Sequence, residues 1–131
     1  MIMGLGIDLV ELSRIKKSLD RFGDRFCRKL LHADELQTMS RLDAHQAGPR
    51  LIEWIGGRFA AKEAAFKALG TGMANGIGLH DIRVQPDAAG KPELRFYGAA
   101  QKYFATLEAH TVHLSITHTA DTAAAVVVLS R

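Results

Sequence analysis

The chain has a single cysteine, Cys27, so no intrachain disulfide can form and nothing asks for an oxidising compartment. Cys27 itself reads as a small, partly buried helical residue. Aromatic residues make up only 7 % of the sequence and supply no stacking platform, which argues against a nucleic-acid-binding module. Low-complexity tracts and internal repeats are missing, which excludes fibrous and repeat architectures. The apolar start Ile2–Val10 has no leading Lys or Arg and is interrupted by Asp8, so it fits neither a signal peptide nor a membrane span. The cytoplasm is the expected compartment. There is no Gly-Lys-Ser/Thr ahead of a helix, and Leu9 stands where a dinucleotide fingerprint would need its third glycine.

What is present suits an ordinary globular chain: 131 residues, 47 % hydrophobic and 24 % charged, expected to fold as one domain over 1–131. Lys and Arg exceed Asp and Glu by 17 − 14 = +3, which favours acidic partners without choosing among them.

Hydrophobic spacing predicts the elements. Ile2–Val10 reads as a buried first strand, and Ser13 is placed to cap a helix over Arg14–Phe22, with Arg14, Lys17, Arg21 and Arg25 off its apolar face. Helical pieces follow over Asp24–Leu31 and Ala33–Met39, then a loop over 43–50. Pro49 opens a long helix that Gly70 stops, although Gly56-Gly57 must either break it or admit another backbone. Residues 70–78 form a glycine-rich loop. Strands over His80–Gln85 and Glu93–Tyr97, a helix over Tyr97–Leu107, and a hairpin of Thr111–Thr117 with Ala123–Leu129 complete the chain. The expected class is α+β, a small, largely antiparallel sheet packed against one long helix and shorter ones.

Glu63 is the most informative residue, four after Phe59 and three before Phe66, hence on the long helix's apolar stripe. A carboxylate there needs a cation, a metal or a proton; a surface pair with Lys67 is the plainer alternative. Asp8 poses the same problem at the end of an apolar strand. Two carboxylates with phosphate oxygens and water suit Mg²⁺, which prefers octahedral oxygen ligation, but sequence cannot show that Asp8 and Glu63 meet. Lys62 and Lys67 flank Glu63. His118 ends a strand at a polar turn, where it either stabilises the turn or meets a phosphate. His110 and His113 read as surface residues.

Three strings, GIDLVELSRI (6–15), GRFAAKEAAFKALGTG (57–72) and HLSITHTADTAAAVVVL (113–129), together resemble the bacterial holo-[acyl-carrier-protein] synthases, a group of 4′-phosphopantetheinyl transferases. The resemblance implies that family's fold and the transfer of phosphopantetheine from CoA to a serine of apo acyl carrier protein, releasing adenosine 3′,5′-bisphosphate. It implies Asp8, Glu63 and Lys67 as catalytic residues, with Asp8 and Glu63 holding Mg²⁺ and Lys67 on the phosphates. Arg58, Lys62 and His118 would grip CoA's phosphates, and Gly70, Thr71 and Gly72 would let the backbone approach the nucleotide. Arg14, Arg21 and Arg25 would dock the acidic carrier protein, and a homotrimer would place active sites at subunit interfaces. An aromatic residue is frequent in the family where Thr122 stands. With water as acceptor, the same residues would instead make a Mg²⁺-dependent hydrolase of CoA or nucleotide pyrophosphates.

Overall fold

The computed structural model describes residues 1–43 and 48–131. In chain order these form β1 (Ile2–Glu11), α1 (Leu12–Phe22), α2 (Asp24–Leu30), α3 (Ala33–Asp43) and α4 (Pro49–Leu69). A 3₁₀ turn (Leu79–Asp81), β2 (Ile82–Pro86), β3 (Pro92–Phe96), α5 (Gly98–Thr106), β4 (Thr111–His118) and β5 (Thr122–Ser130) follow. The α+β class expected from the sequence is observed, with the strands divided into a three-stranded sheet ordered β1-β5-β4 and a separate β2-β3 hairpin, antiparallel throughout. Of the loop expected over 43–50, residues 44–47 lie outside the described residues.

α4 lies across one face of the three-stranded sheet and is buried on nearly every side from Ile55 to Leu69. Pro49 occupies its first turn, where a missing N–H costs nothing, and Gly70 ends it in the left-handed region at φ 82°. The helix runs unbroken through Gly56 and Gly57, whose missing side chains make room for Leu12 and Ile116. The backbone approach occurs elsewhere, at Gly4 and Gly6 of β1. A Cβ on Gly6 would overlap the carbonyl oxygen of Ala64, and one on Gly4 that of Ala68. Strand and helix therefore touch main chain to main chain.

Two local expectations are corrected. α1 begins at Leu12 and not behind a Ser13 cap: its N-cap is Glu11, without a side-chain cap, and the Leu12 N–H donates to the Asp121 carbonyl at 2.8 Å. β1 passes into the helix with no intervening turn, and the neighbouring chain segment satisfies one of the donors that a helix's first turn leaves without an intrahelical partner. β1 is also not a buried strand. It is a sheet edge whose Gly4, Gly6, Asp8 and Val10 point to the α4 side, while Leu5, Ile7 and Leu9 stand 62 %, 65 % and 70 % exposed on the other face.

Candidate functional site

The glycine contacts place Asp8. Gly4, Gly6 and Asp8 share one face of β1 by the two-residue period of a strand, and the two glycines bring that face onto α4 beside Glu63 and Lys67. The Lys67 Nζ donates to Asp8 Oδ1 at 3.1 Å and to the Ile7 carbonyl at 3.0 Å. Asp8 is mostly buried in this contact while Lys67 stays largely open to solvent. Glu63 is half-buried and feels the charges of both. Burial pushes its carboxyl above the usual 4.5, the negative charge of Asp8 pushes it further, and Lys67 pulls it back. The structure thus joins the three residues that sequence could only suspect of meeting: two carboxylates that repel one another, with one cation bonded to Asp8.

That donor set fits a hard divalent ion, because added positive charge would relieve the repulsion between the Asp8 and Glu63 carboxylates. Among the described residues no group of three or more His, Cys, Asp or Glu is placed to hold a metal. An ion at Asp8 and Glu63 would therefore take its remaining oxygens from substrate and water.

A second cluster lies at the opposite, β4 edge of the sheet. Arg58 precedes Glu63 by five residues, so the two point about 140° apart around the helix. The Arg58 guanidinium lies 4.2 Å above the Trp54 ring, and its Nε is buried without a hydrogen-bond partner. Burial lowers its pKa to about 10, against the opposing pull of Glu35, and leaves it charged at neutral pH. Arg58 lines a cleft of about 380 Å³ with Arg50, Glu53, Trp54 and His118. Glu53 Oε2 lies 3.7 Å from His118 Nδ1. Cations predominate in this cleft, and its orphaned donor suits an anion.

Residues 4–127 match the family model described as the 4′-phosphopantetheinyl transferase superfamily. The chain belongs to that superfamily. It is 46 % identical over 131 residues, all of both chains, to a holo-[acyl-carrier-protein] synthase of Maridesulfovibrio salexigens. Among solved structures it resembles that of a Bacillus anthracis holo-(acyl-carrier-protein) synthase in complex with CoA (3′,5′-ADP), at TM-score 0.80 and 42 % identity over 100 % of this chain and 99 % of the other. The Neisseria meningitidis holo-[acyl-carrier-protein] synthase superposes at TM-score 0.87 with 36 % identity over all of both chains.

In this phosphopantetheinyl transferase one expected phosphate-gripping residue is corrected. Lys62 is 0 % exposed, and its ammonium donates to Glu35 Oε1 (2.7 Å), the Leu30 carbonyl (2.7 Å) and the Leu79 carbonyl (3.0 Å). All three protons are used inside the protein, so none is left for a phosphate. Gly70, Thr71 and Gly72 open the loop just beyond Lys67, with Gly70 N–H capping α4 on Phe66 and Lys67 and the Thr71 hydroxyl donating to the Gly72 carbonyl at 2.9 Å.

Arg14, Arg21 and Arg25 are all exposed on the transferase's first two helices. Arg21 lies over the Phe22 ring, and Arg25 lines a cleft of about 440 Å³ with Phe22, Phe26, Arg28 and Lys29. Arg28 and Lys29 were not singled out from sequence, although they continue the basic run. Trp54 was legible in principle, since it precedes Arg58 by one helical turn. Glu35 carried no local signal, its partner being 27 residues away.

Proposed function

We propose that this transferase moves 4′-phosphopantetheine from CoA to a serine hydroxyl of an apo acyl carrier protein, releasing adenosine 3′,5′-bisphosphate. The observation that carries the reading is the Asp8–Glu63–Lys67 cluster, held by backbone contact between β1 and α4. Asp8 and Glu63 would hold Mg²⁺, which when bound supplies positive charge to the pyrophosphate as its bridging P–O bond breaks. The serine oxygen forms the new P–O bond, its proton is lost, and the nucleotide leaves with the bridging oxygen. Lys67, open to solvent on one side, offers its ammonium to the charge growing on that leaving oxygen. Arg58 and His118 offer donors to phosphates of CoA in their cleft. The exposed Gly70-Thr71-Gly72 turn gives the nucleotide a close backbone surface.

Arg14, Arg21 and Arg25, with Phe22 under Arg21 and Phe22 and Phe26 beside Arg25, suit an acidic carrier protein: the charges speed encounter and the rings supply contact area. The whole chain is read as one such domain, with the cytoplasm as its compartment. No helix among the described residues is long and apolar enough to cross a membrane.

The test is direct. Protein, CoA, Mg²⁺ and an apo carrier protein are incubated, and the carrier should gain the mass of one phosphopantetheine group. No gain would overturn the reading. Release of the nucleotide from CoA without any carrier would favour the pyrophosphate hydrolase instead.

We further propose that copies of the chain associate as a homotrimer. Leu5, Ile7 and Leu9 lie opposite Val128, Val126 and Ala124 of β5, an apolar face left open in one chain, of the kind that a partner covers. The carboxylates lie at the β1 edge and Arg58 with His118 at the β4 edge, so one chain's halves would be completed by its neighbours. Ile7→Lys should yield a folded monomer by sedimentation, with transfer lowered at least about tenfold. A trimer persisting in Ile7→Lys would count against that face.

A further inference from the structure

Lys62 and Glu35 form a fully buried ion pair that no step of the transfer touches. The pair is completely satisfied. Besides Lys62, Glu35 accepts from the His32 N–H through Oε1 at 3.0 Å and from the Val84 N–H through Oε2 at 2.9 Å. Lys62 in turn reaches two main-chain carbonyls, one at the last residue of α2 and one at Leu79. Five hydrogen bonds tie α2, the start of α3, α4, the 3₁₀ turn and β2 to one point.

Leu79 is the first residue after the glycine loop, whose last residue, Gly78, exchanges local bonds with Asp81, its N–H to Asp81 Oδ2 at 3.0 Å and its carbonyl to the Asp81 N–H at 3.1 Å. Gly70, Gly72, Asn75 and Gly76 have positive φ, and the internal main-chain bonds are two long ones, Ala74 N–H to Thr71 at 3.3 Å and Ile77 N–H to Ala74 at 3.2 Å, beside the Thr71 hydroxyl's bond to the Gly72 carbonyl. Within 70–78 only Ile77 is buried. The entrance is fixed to α4 by the Gly70 cap and the exit by Lys62, both from the helix that carries Glu63 and Lys67.

We propose that Lys62 and Glu35 are positioning residues for CoA: by fastening the loop's exit to α4 they hold Gly70-Thr71-Gly72 at a fixed distance from Lys67. The proposal rests on the reading that this loop meets the nucleotide. A bond to a main-chain carbonyl at the loop boundary gives the pair leverage that a pair between two helices would lack.

The test replaces both charges together, as Lys62→Met with Glu35→Gln, because either change alone leaves a buried charge unpaired. The expected result is a folded protein whose Kd for CoA by calorimetry, and whose KM for CoA, rise about tenfold, while kcat at saturating CoA stays within about threefold. Amide exchange over 77–81 should quicken about tenfold or more relative to the β1-β5-β4 sheet. A folded double variant with parental CoA affinity and parental exchange overturns the proposal, leaving the pair as core packing. If the variant does not fold, exchange in the unaltered protein decides. The Asp81 amide, bonded to the Gly78 carbonyl, should exchange as slowly as the interior of α4, and exchange about a hundredfold faster overturns the pin. Unaltered protein that binds CoA yet transfers nothing overturns the transfer reaction alone, since affinity and exchange still report on the loop.

Discussion

Glu63→Gln is expected to fold like the parent and to transfer phosphopantetheine about 10²- to 10³-fold more slowly, the range seen when one group that stabilises transition-state charge is removed. Glutamine keeps the shape of a half-buried side chain and removes the charge, so the loss would report chemistry. The same substitution has a signature in stability. Glu63's carboxyl titrates above its usual 4.5 because burial and Asp8 disfavour its ionised form. The stabilisation from the protonated form is therefore complete below about pH 4.5 and is lost as pH rises through the raised value. In metal-free protein that decline should vanish in Glu63→Gln, which resembles the protonated parent at every pH. Initial rates with CoA and apo carrier protein, and melting temperatures against pH in a chelator, measure the two effects. An unchanged rate would remove Glu63 from the machinery.

Gly6→Ala is expected to be among the most damaging single-methyl changes this chain can suffer. The added Cβ would overlap the Ala64 carbonyl and lie 2.7 Å from the Ala68 nitrogen. Both are helix backbone, which cannot swing aside as a side chain tip can. Alanine ordinarily stabilises by about 0.4–1 kcal/mol through the unfolded chain. Overpacking against a main chain should exceed that, giving a net loss of about 3 kcal/mol. For a domain of this size that lowers Tm by about 10 °C. Any relief must move β1 off α4 and carry Asp8 away from Glu63, so the fraction that remains folded should also lose turnover. Gly78→Ala is the control: nothing lies within 4 Å of its Cβ position and its φ is −113°. Thermal unfolding compares the pair, and a Gly6→Ala protein melting with the parent would refute the backbone contact.

The parts of the fold legible in advance were those written in local spacing. Pro49, the apolar period and Gly70 delimit α4, and the position of Glu63 on the buried stripe pointed to a site. The meeting of Asp8 with Glu63 was out of reach, since it depends on Gly4 and Gly6 fitting a helix some 60 residues on. The seam was anticipated in kind but assigned to the wrong glycines. Gly56 and Gly57 accommodate side chains, while the strand glycines accommodate a backbone. Lys62 was misjudged because a lysine beside a site resembles a ligand-binding residue until its buried acceptors are found. The open face of β1 was misread for a related reason: alternating apolar residues look alike whether their cover comes from the same chain or another copy.

α4 also sets how the chain can change length. Arg58, Lys62, Glu63 and Lys67 lie within ten consecutive positions and meet, respectively, an indole and a cleft, a buried carboxylate, a repelling aspartate, and that same β1 aspartate with a backbone carbonyl. Each outcome follows from angle alone. One inserted or deleted residue among them would turn everything on one side by about 100° relative to the other. Cleft, ion pair and carboxylate cluster would fall out of phase together, and no compensating point substitution could restore them. Insertions and deletions should therefore be refused between Arg58 and Lys67.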